Sequence, residues 1–107
     1  MLQKLKHISS TTKISLVLPC YNPPENWEKV VVKSVASIEA KGLFSIDLIV
    51  VNDGSTQGVA DAHLDFLRSN IPSVNVIDHG VNRGKGYALR QGVAEVKNDL
   101  IIYTDID

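Results

Sequence analysis

Two aspartates, Asp105 and Asp107, stand two positions apart at the end of a 107-residue chain. Residues i and i+2 of an extended segment project to one side, roughly 6–7 Å apart. Two like charges there repel by a few kcal/mol at an effective dielectric near ~20, and a divalent cation between them reverses the sign. Such oxygen ligands suit Mg2+ or Mn2+ held jointly with a phosphate-bearing substrate. The same pair also reads as acidic residues that end a strand in water. A second feature is the turn Asn82-Arg83-Gly84-Lys85-Gly86. Its glycines let backbone N–H groups approach a ligand, and a following helix N-terminus favours negative charge. Arg83 and Lys85 add full positive charges, so a diphosphate fits; a solvated connection that starts a helix fits equally. The spacing excludes a P-loop, since Gly80 and Gly84 enclose only three residues and Lys85 is followed by Gly86. The dinucleotide fingerprint fails too, because Leu89 stands where its third glycine belongs.

Asp53 lies in Val51-Asn52-Asp53-Gly54-Ser55. A carboxylate just past a buried strand can accept a hydrogen bond from the ring N–H of a uracil. Asn, Asp, Gly and Ser are also the commonest turn formers. Tyr21 can cover the face of a base or plug the top of a sheet. His63 and His79 have no partner at metal-ligand spacing and read as structural or surface residues. Cys20 reads as a small buried side chain.

These residues sit between regular elements. Apolar runs at 14–18 (stopped by Pro19), 46–51, 74–77 and 100–103 alternate with helical patterns at 25–40, 59–70 and 86–97. Prolines before the first helical pattern and Gly42 after it mark its limits. The order β-α-β-α-β-α-β predicts an α/β fold: an open, doubly wound, mostly parallel sheet, Rossmann-like, with helices on both faces. Near-continuous apolar runs suit strands buried on both sides. In such sheets ligands bind beyond the carboxyl ends of the strands. Those ends are residues 19–22, 52–55, 78–80 and 104–107, which gather the residues discussed above on one rim. Residues 1–13, with Leu2, Leu5 and Ile8 at helical spacing, form an N-terminal arm outside the 14–107 domain.

Composition narrows the partners. With 44% hydrophobic and 21% charged residues and a net charge of −1, the chain is an ordinary globular domain with no bulk attraction for nucleic acid. One cysteine excludes an intrachain disulfide and a cysteine-built zinc site. No stretch reaches the ~18 apolar residues of a membrane span. A cytoplasmic location is expected, with the full-length protein at the cytoplasmic face of a membrane.

Taken together, the segments resemble the N-terminal half of family-2-type glycosyltransferases of the GT-A fold. Leu16-Val17-Leu18-Pro19-Cys20-Tyr21-Asn22 matches the opening V-x-P-x-Y-N pattern, and Val51-Asn52-Asp53-Gly54-Ser55 matches V-D-D-G-S with Asn52 for the first Asp. Asn82-Arg83-Gly84 gives N-x-G, followed by Ala88 and Gly92, and Asp105-Ile106-Asp107 falls where the family's D-x-D belongs. The resemblance implies an inverting, metal-dependent transferase that uses a nucleoside-diphosphate sugar, a UDP-sugar before a GDP-sugar. Pro19, Tyr21 and Asp53 would line the nucleoside pocket, with Asp53 bonding the base. Arg83 and Lys85 would lie near the nucleotide, with Lys85 on the diphosphate. Asp105 would support the ribose and the metal, and Asp107 would ligate Mg2+ or Mn2+. The wording of the 82–86 turn also resembles polyprenyl-phosphate sugar transferases, which implies an acceptor hydroxyl or a lipid phosphate. The family's general base lies after the D-x-D, so it is expected beyond residue 107. The chain is then a donor-binding fragment that is inactive alone and prone to self-association through the open edge at 100–103. The alternatives are a sugar nucleotidyltransferase, whose Gly- and Arg-containing loop is missing after the first strand, and a non-catalytic nucleotide-binding or protein-interaction module with a flavodoxin-like sheet.

Overall fold

The computed structural model describes residues 12–42, 44–98 and 100–104. Most of the expected N-terminal arm, and both Asp105 and Asp107, lie outside the described residues. The elements run β1 (Lys13–Cys20), α1 (Trp27–Glu39), β2 (Ser45–Asn52), α2 (Asp61–Asn70), β3 (Val74–Asp78), α3 (Lys85–Ala94) and β4 (Leu100–Tyr103). Four strands form one sheet in the order β3-β2-β1-β4. All three pairings are parallel, so the strands' carboxyl ends share one rim.

Strand alternation divides the core in two. Leu16, Leu18 and Cys20 of β1 and Ile46, Leu48 and Val50 of β2 face α1 and α2, where Trp27, Val31, Val35 and Leu67 meet them. Val17, Ile49 and Val51 face the other way, onto Ala88 of α3. The helix lies close against that face because Gly92 has no side chain: a Cβ there would stand 2.4 Å from Cγ1 of Val17. Helices therefore cover both faces, as the apolar runs predict.

Two expectations need correction. Pro19 does not stop β1, which continues to Cys20 with Pro19 paired opposite Val51. The carbonyl of Cys20 is taken by Asp53 N on the β2 side and that of Val17 by Thr104 N on the β4 side. Alternation puts Pro19 with Val17, so its missing N–H falls beyond the last pair, Val17 and Tyr103, where it interrupts no described rung. The second correction concerns β4, whose four residues are exposed rather than buried on both faces, with Tyr103 at 62%. Helix starts also differ from the expected ones. Asn26 adopts a left-handed conformation at φ 66°, which holds α1 back to Trp27.

Candidate functional site

The rim is stitched together by three polar side chains from the strand ends. Asn22, at φ 43°, follows β1. Its Oδ1 accepts hydrogen bonds from Thr56 N at 2.8 Å and Gln57 N at 3.2 Å, and its own N–H donates to Ser55 Oγ at 2.9 Å. Asn52, the last residue of β2, accepts from Ser55 N at 3.1 Å and donates to Asp78 Oδ2 at 3.3 Å. An Asp at position 52 would set two carboxylates against each other across the β2–β3 pair, so Asn52 suits Asp78. Both oxygens of Asp53 then reach the segment that leads into α3.

Asp53 is only 3% exposed. Its Oδ1 accepts from His79 Nε2 at 2.6 Å and Arg83 N at 2.8 Å. Its Oδ2 accepts from Gly84 N at 2.9 Å and Asn82 Nδ2 at 3.0 Å. The Asn82 amide also donates to the Asp53 carbonyl at 3.2 Å. Burial alone would raise the Asp53 pKa, but the hydrogen bonds from His79, Arg83 and Gly84, with the charge His79 can carry, hold it below the usual carboxylate range. Gly54 lets the two loops meet. At φ 72°, a Cβ on it would stand 2.3 Å from the Asn82 nitrogen.

A carboxyl with a depressed folded pKa adds stability above its unfolded value, and that stability is lost as pH falls through the folded value. The urea midpoint should therefore hold steady above the ordinary aspartate range near ~3.9 and decline below it. Asp53→Asn should flatten part of that decline; an unchanged acid limb in the variant would refute the assignment.

Of the predicted site residues, the described ones, Pro19, Tyr21, Asp53, Arg83 and Lys85, lie at this rim. Tyr21 is 53% exposed at the end of β1, next to the half-buried Pro19. Arg83 and Lys85 are exposed at the entry to α3. The Arg83 guanidinium lies over the Tyr87 ring, 5.3 Å from its centroid, and that ring meets His79 edge-on at 5.2 Å. Sequence reasoning offered the backbone N–H groups of the turn to a ligand; those of Arg83 and Gly84 are already taken by Asp53. The Asp53 carboxylate, which the resemblance assigns to the base, also accepts from four donors of the chain itself. The sequence reads His79 as structural or surface and Asn82 only as part of the turn; each lies 26 or more residues from Asp53, too far for a local pattern to reveal the bond. His79 Nδ1 is buried without a partner among the described residues.

Among the described residues no group of three or more His, Cys, Asp or Glu is placed to hold a metal ion, and both expected ligands lie outside them. No described helix is long and apolar enough to cross a membrane. A cavity of about 480 Å³ opens beside the start of α1, lined by Pro23, Trp27, Glu28, Gly58 and His63, and includes none of the predicted site residues.

The sequence and the fold are similar to those of known proteins. The sequence model of the family described as Glycosyl transferase family 2 matches residues 15–107. A dolichyl-phosphate beta-glucosyltransferase from Trichomonas vaginalis is 26% identical over 98 residues, which is 88% of this chain and 30% of that protein. A poly-beta-1,6-N-acetyl-D-glucosamine synthase from Staphylococcus epidermidis is 32% identical over 94 residues, 88% of this chain and 21% of that one. The crystal structure of glucosyl-3-phosphoglycerate synthase from Mycobacterium tuberculosis with Mg2+ and UDP superposes with a TM-score of 0.63 at 27% identity, covering 100% of this chain and 37% of that one. The chain thus spans about a third or less of the curated relatives named here.

Proposed function

The chain belongs to glycosyl transferase family 2, and on that footing we propose that it is the donor-binding part of an inverting sugar transferase. The donor is a nucleoside-diphosphate sugar, with UDP favoured over GDP. The observation that carries this reading is the stitched rim, where the ends of three parallel strands and the cationic 82–85 turn are tied into one surface. Pro19 and Tyr21 line the nucleoside pocket, with the buried Asp53 behind the turn. Arg83 and Lys85 face the diphosphate, where their charges offset the negative charge that grows as the nucleoside diphosphate departs. The similar structure that holds Mg2+ and UDP supports a divalent cation. Asp105 and Asp107, which follow β4 in the sequence, are the proposed ligands for Mg2+ or Mn2+, with Asp105 also on the ribose. When bound, that ion supplies Lewis-acid help to the leaving group.

The acceptor is a hydroxyl or a polyprenyl phosphate. The dolichyl-phosphate glucosyltransferases among the relatives favour the lipid phosphate. Calorimetric titration of the chain with UDP and GDP, with and without Mn2+, tests the donor half of this reading. UDP should bind in a metal-dependent way, and Lys85→Ala should weaken it about tenfold through loss of a charge-assisted contact. If neither nucleotide binds with Mn2+ present, the donor-binding reading is lost and a non-catalytic module takes its place.

A further inference from the structure

We infer that Tyr87 is a positioning residue whose ring holds the Arg83 guanidinium ready for a phosphate of the donor. The inference deepens the donor-binding reading above and rests on it. Arg83 precedes the N-cap Gly84 of α3, and Tyr87 lies four positions on, within the first turn of the helix. The guanidinium carbon stands 5.3 Å from the centroid of the ring. His79 meets the same ring edge-on at 5.2 Å, and His79 Nε2 is bonded to Asp53 Oδ1 at 2.6 Å. The half-buried ring thus rests against a side chain that is itself tied to the end of β2. Arg83, in contrast, is exposed, and its guanidinium pairs with no carboxylate among the described residues. Its charge is therefore uncommitted while its place is set. An arginine loses rotamer freedom when it grips a ligand, and one already laid on an aromatic face loses less. A planar guanidinium that gives its face to a ring also keeps its N–H edges for an oxyanion, which it can hold through two parallel hydrogen bonds. A lysine ammonium has no plane to stack and no such fork.

The test has one arm that depends on nucleotide and one that does not. In the first, UDP with Mn2+ is titrated by calorimetry against the full chain, Tyr87→Phe, Tyr87→Leu, Arg83→Ala and the double variant Tyr87→Leu/Arg83→Ala. Tyr87→Leu should weaken UDP about fivefold, the worth of an exposed cation–π contact. Tyr87→Phe keeps the ring and loses only the hydroxyl, so it should bind as the unaltered chain does. In the Arg83→Ala background, Tyr87→Leu should cost less than about twofold. Affinity unchanged by Tyr87→Leu, equal losses in Tyr87→Phe and Tyr87→Leu, or full additivity with Arg83→Ala would overturn the inference while leaving the donor-binding reading intact. If the unaltered chain binds no UDP, the donor-binding reading falls and this inference with it.

The second arm is nuclear magnetic resonance of the free chain. The side-chain protons of Arg83 should carry an upfield ring-current shift that Tyr87→Phe retains and Tyr87→Leu removes. No difference between those two variants overturns the inference whatever binds. Arg83→Lys leaves Tyr87 in place and keeps the charge, but removes the planar stack, so it should weaken UDP about as much as Tyr87→Leu does. It decides the question if Tyr87→Leu does not fold, and unchanged affinity in Arg83→Lys then overturns the inference.

Discussion

Gly54→Ala is expected to destabilise the fold by about 2–5 kcal/mol and to abolish nucleotide binding. Two independent costs add. A left-handed backbone at φ 72° disfavours any Cβ by about 1–2 kcal/mol. The new methyl would also stand 2.3 Å from the nitrogen of Asn82 and 2.5 Å from the carbonyl carbon of Val81, backbone atoms that cannot rotate away. Relief requires the 53–55 and 81–84 loops to separate, which breaks the hydrogen bonds of Asp53. Gly42→Ala is the matched control, since it shares a positive φ of 73° and a Cβ there meets nothing within 4 Å among the described residues. Urea unfolding of both variants separates strain from collision. If they lose the same stability, the close approach of the two loops is not what holds the rim.

Trp27→Ala should remove about 3–5 kcal/mol, a large part of the 5–15 kcal/mol typical of a domain. The indole is 1% exposed in the core between α1 and the sheet. Its Nε1 donates to Gly58 O at 2.6 Å, and its ring stacks on His63 at 6.3 Å between centroids. Truncation therefore opens a cavity and leaves a loop carbonyl without its donor. Trp27→Phe keeps most of the buried ring and loses the hydrogen bond, at about 1–2 kcal/mol. Denaturation followed by far-ultraviolet dichroism orders the two; equal losses would mean that packing of the indole contributes little.

The elements were legible because their signals are local. Apolar runs and helical spacing located four strands and three helices in their observed order, with errors of a few residues at the ends. Pro19 misled because its effect depends on which neighbour its missing N–H would face, and that is set by β4, more than 80 residues away in sequence. β4 misled because an apolar run signals burial only where a helix covers it. The rim was legible in outline from one rule about parallel sheets and from residue types: Tyr21, Asp53, Arg83 and Lys85 do stand there. The partners of Asp53 were not, since His79, Asn82, Arg83 and Gly84 lie 26 to 31 residues on. Asn-Asp-Gly-Ser looks the same whether it makes a plain turn or anchors a distant one. Asn22 is similar: its tolerance of a left-handed backbone is readable, but its bonds to Ser55, Thr56 and Gln57 are not.

The sheet order has a consequence for how the molecule is made. β1 is an inner strand, yet its neighbour on one side is the last strand of the described chain, and Asn98 closes the join by bonding Ser15 Oγ across 83 residues. On a ribosome that adds about 5–20 residues each second, β1 can pair with β2 early while its other flank waits several seconds for β4 to emerge. During that interval a hydrophobic strand offers an open row of backbone groups to any nascent neighbour.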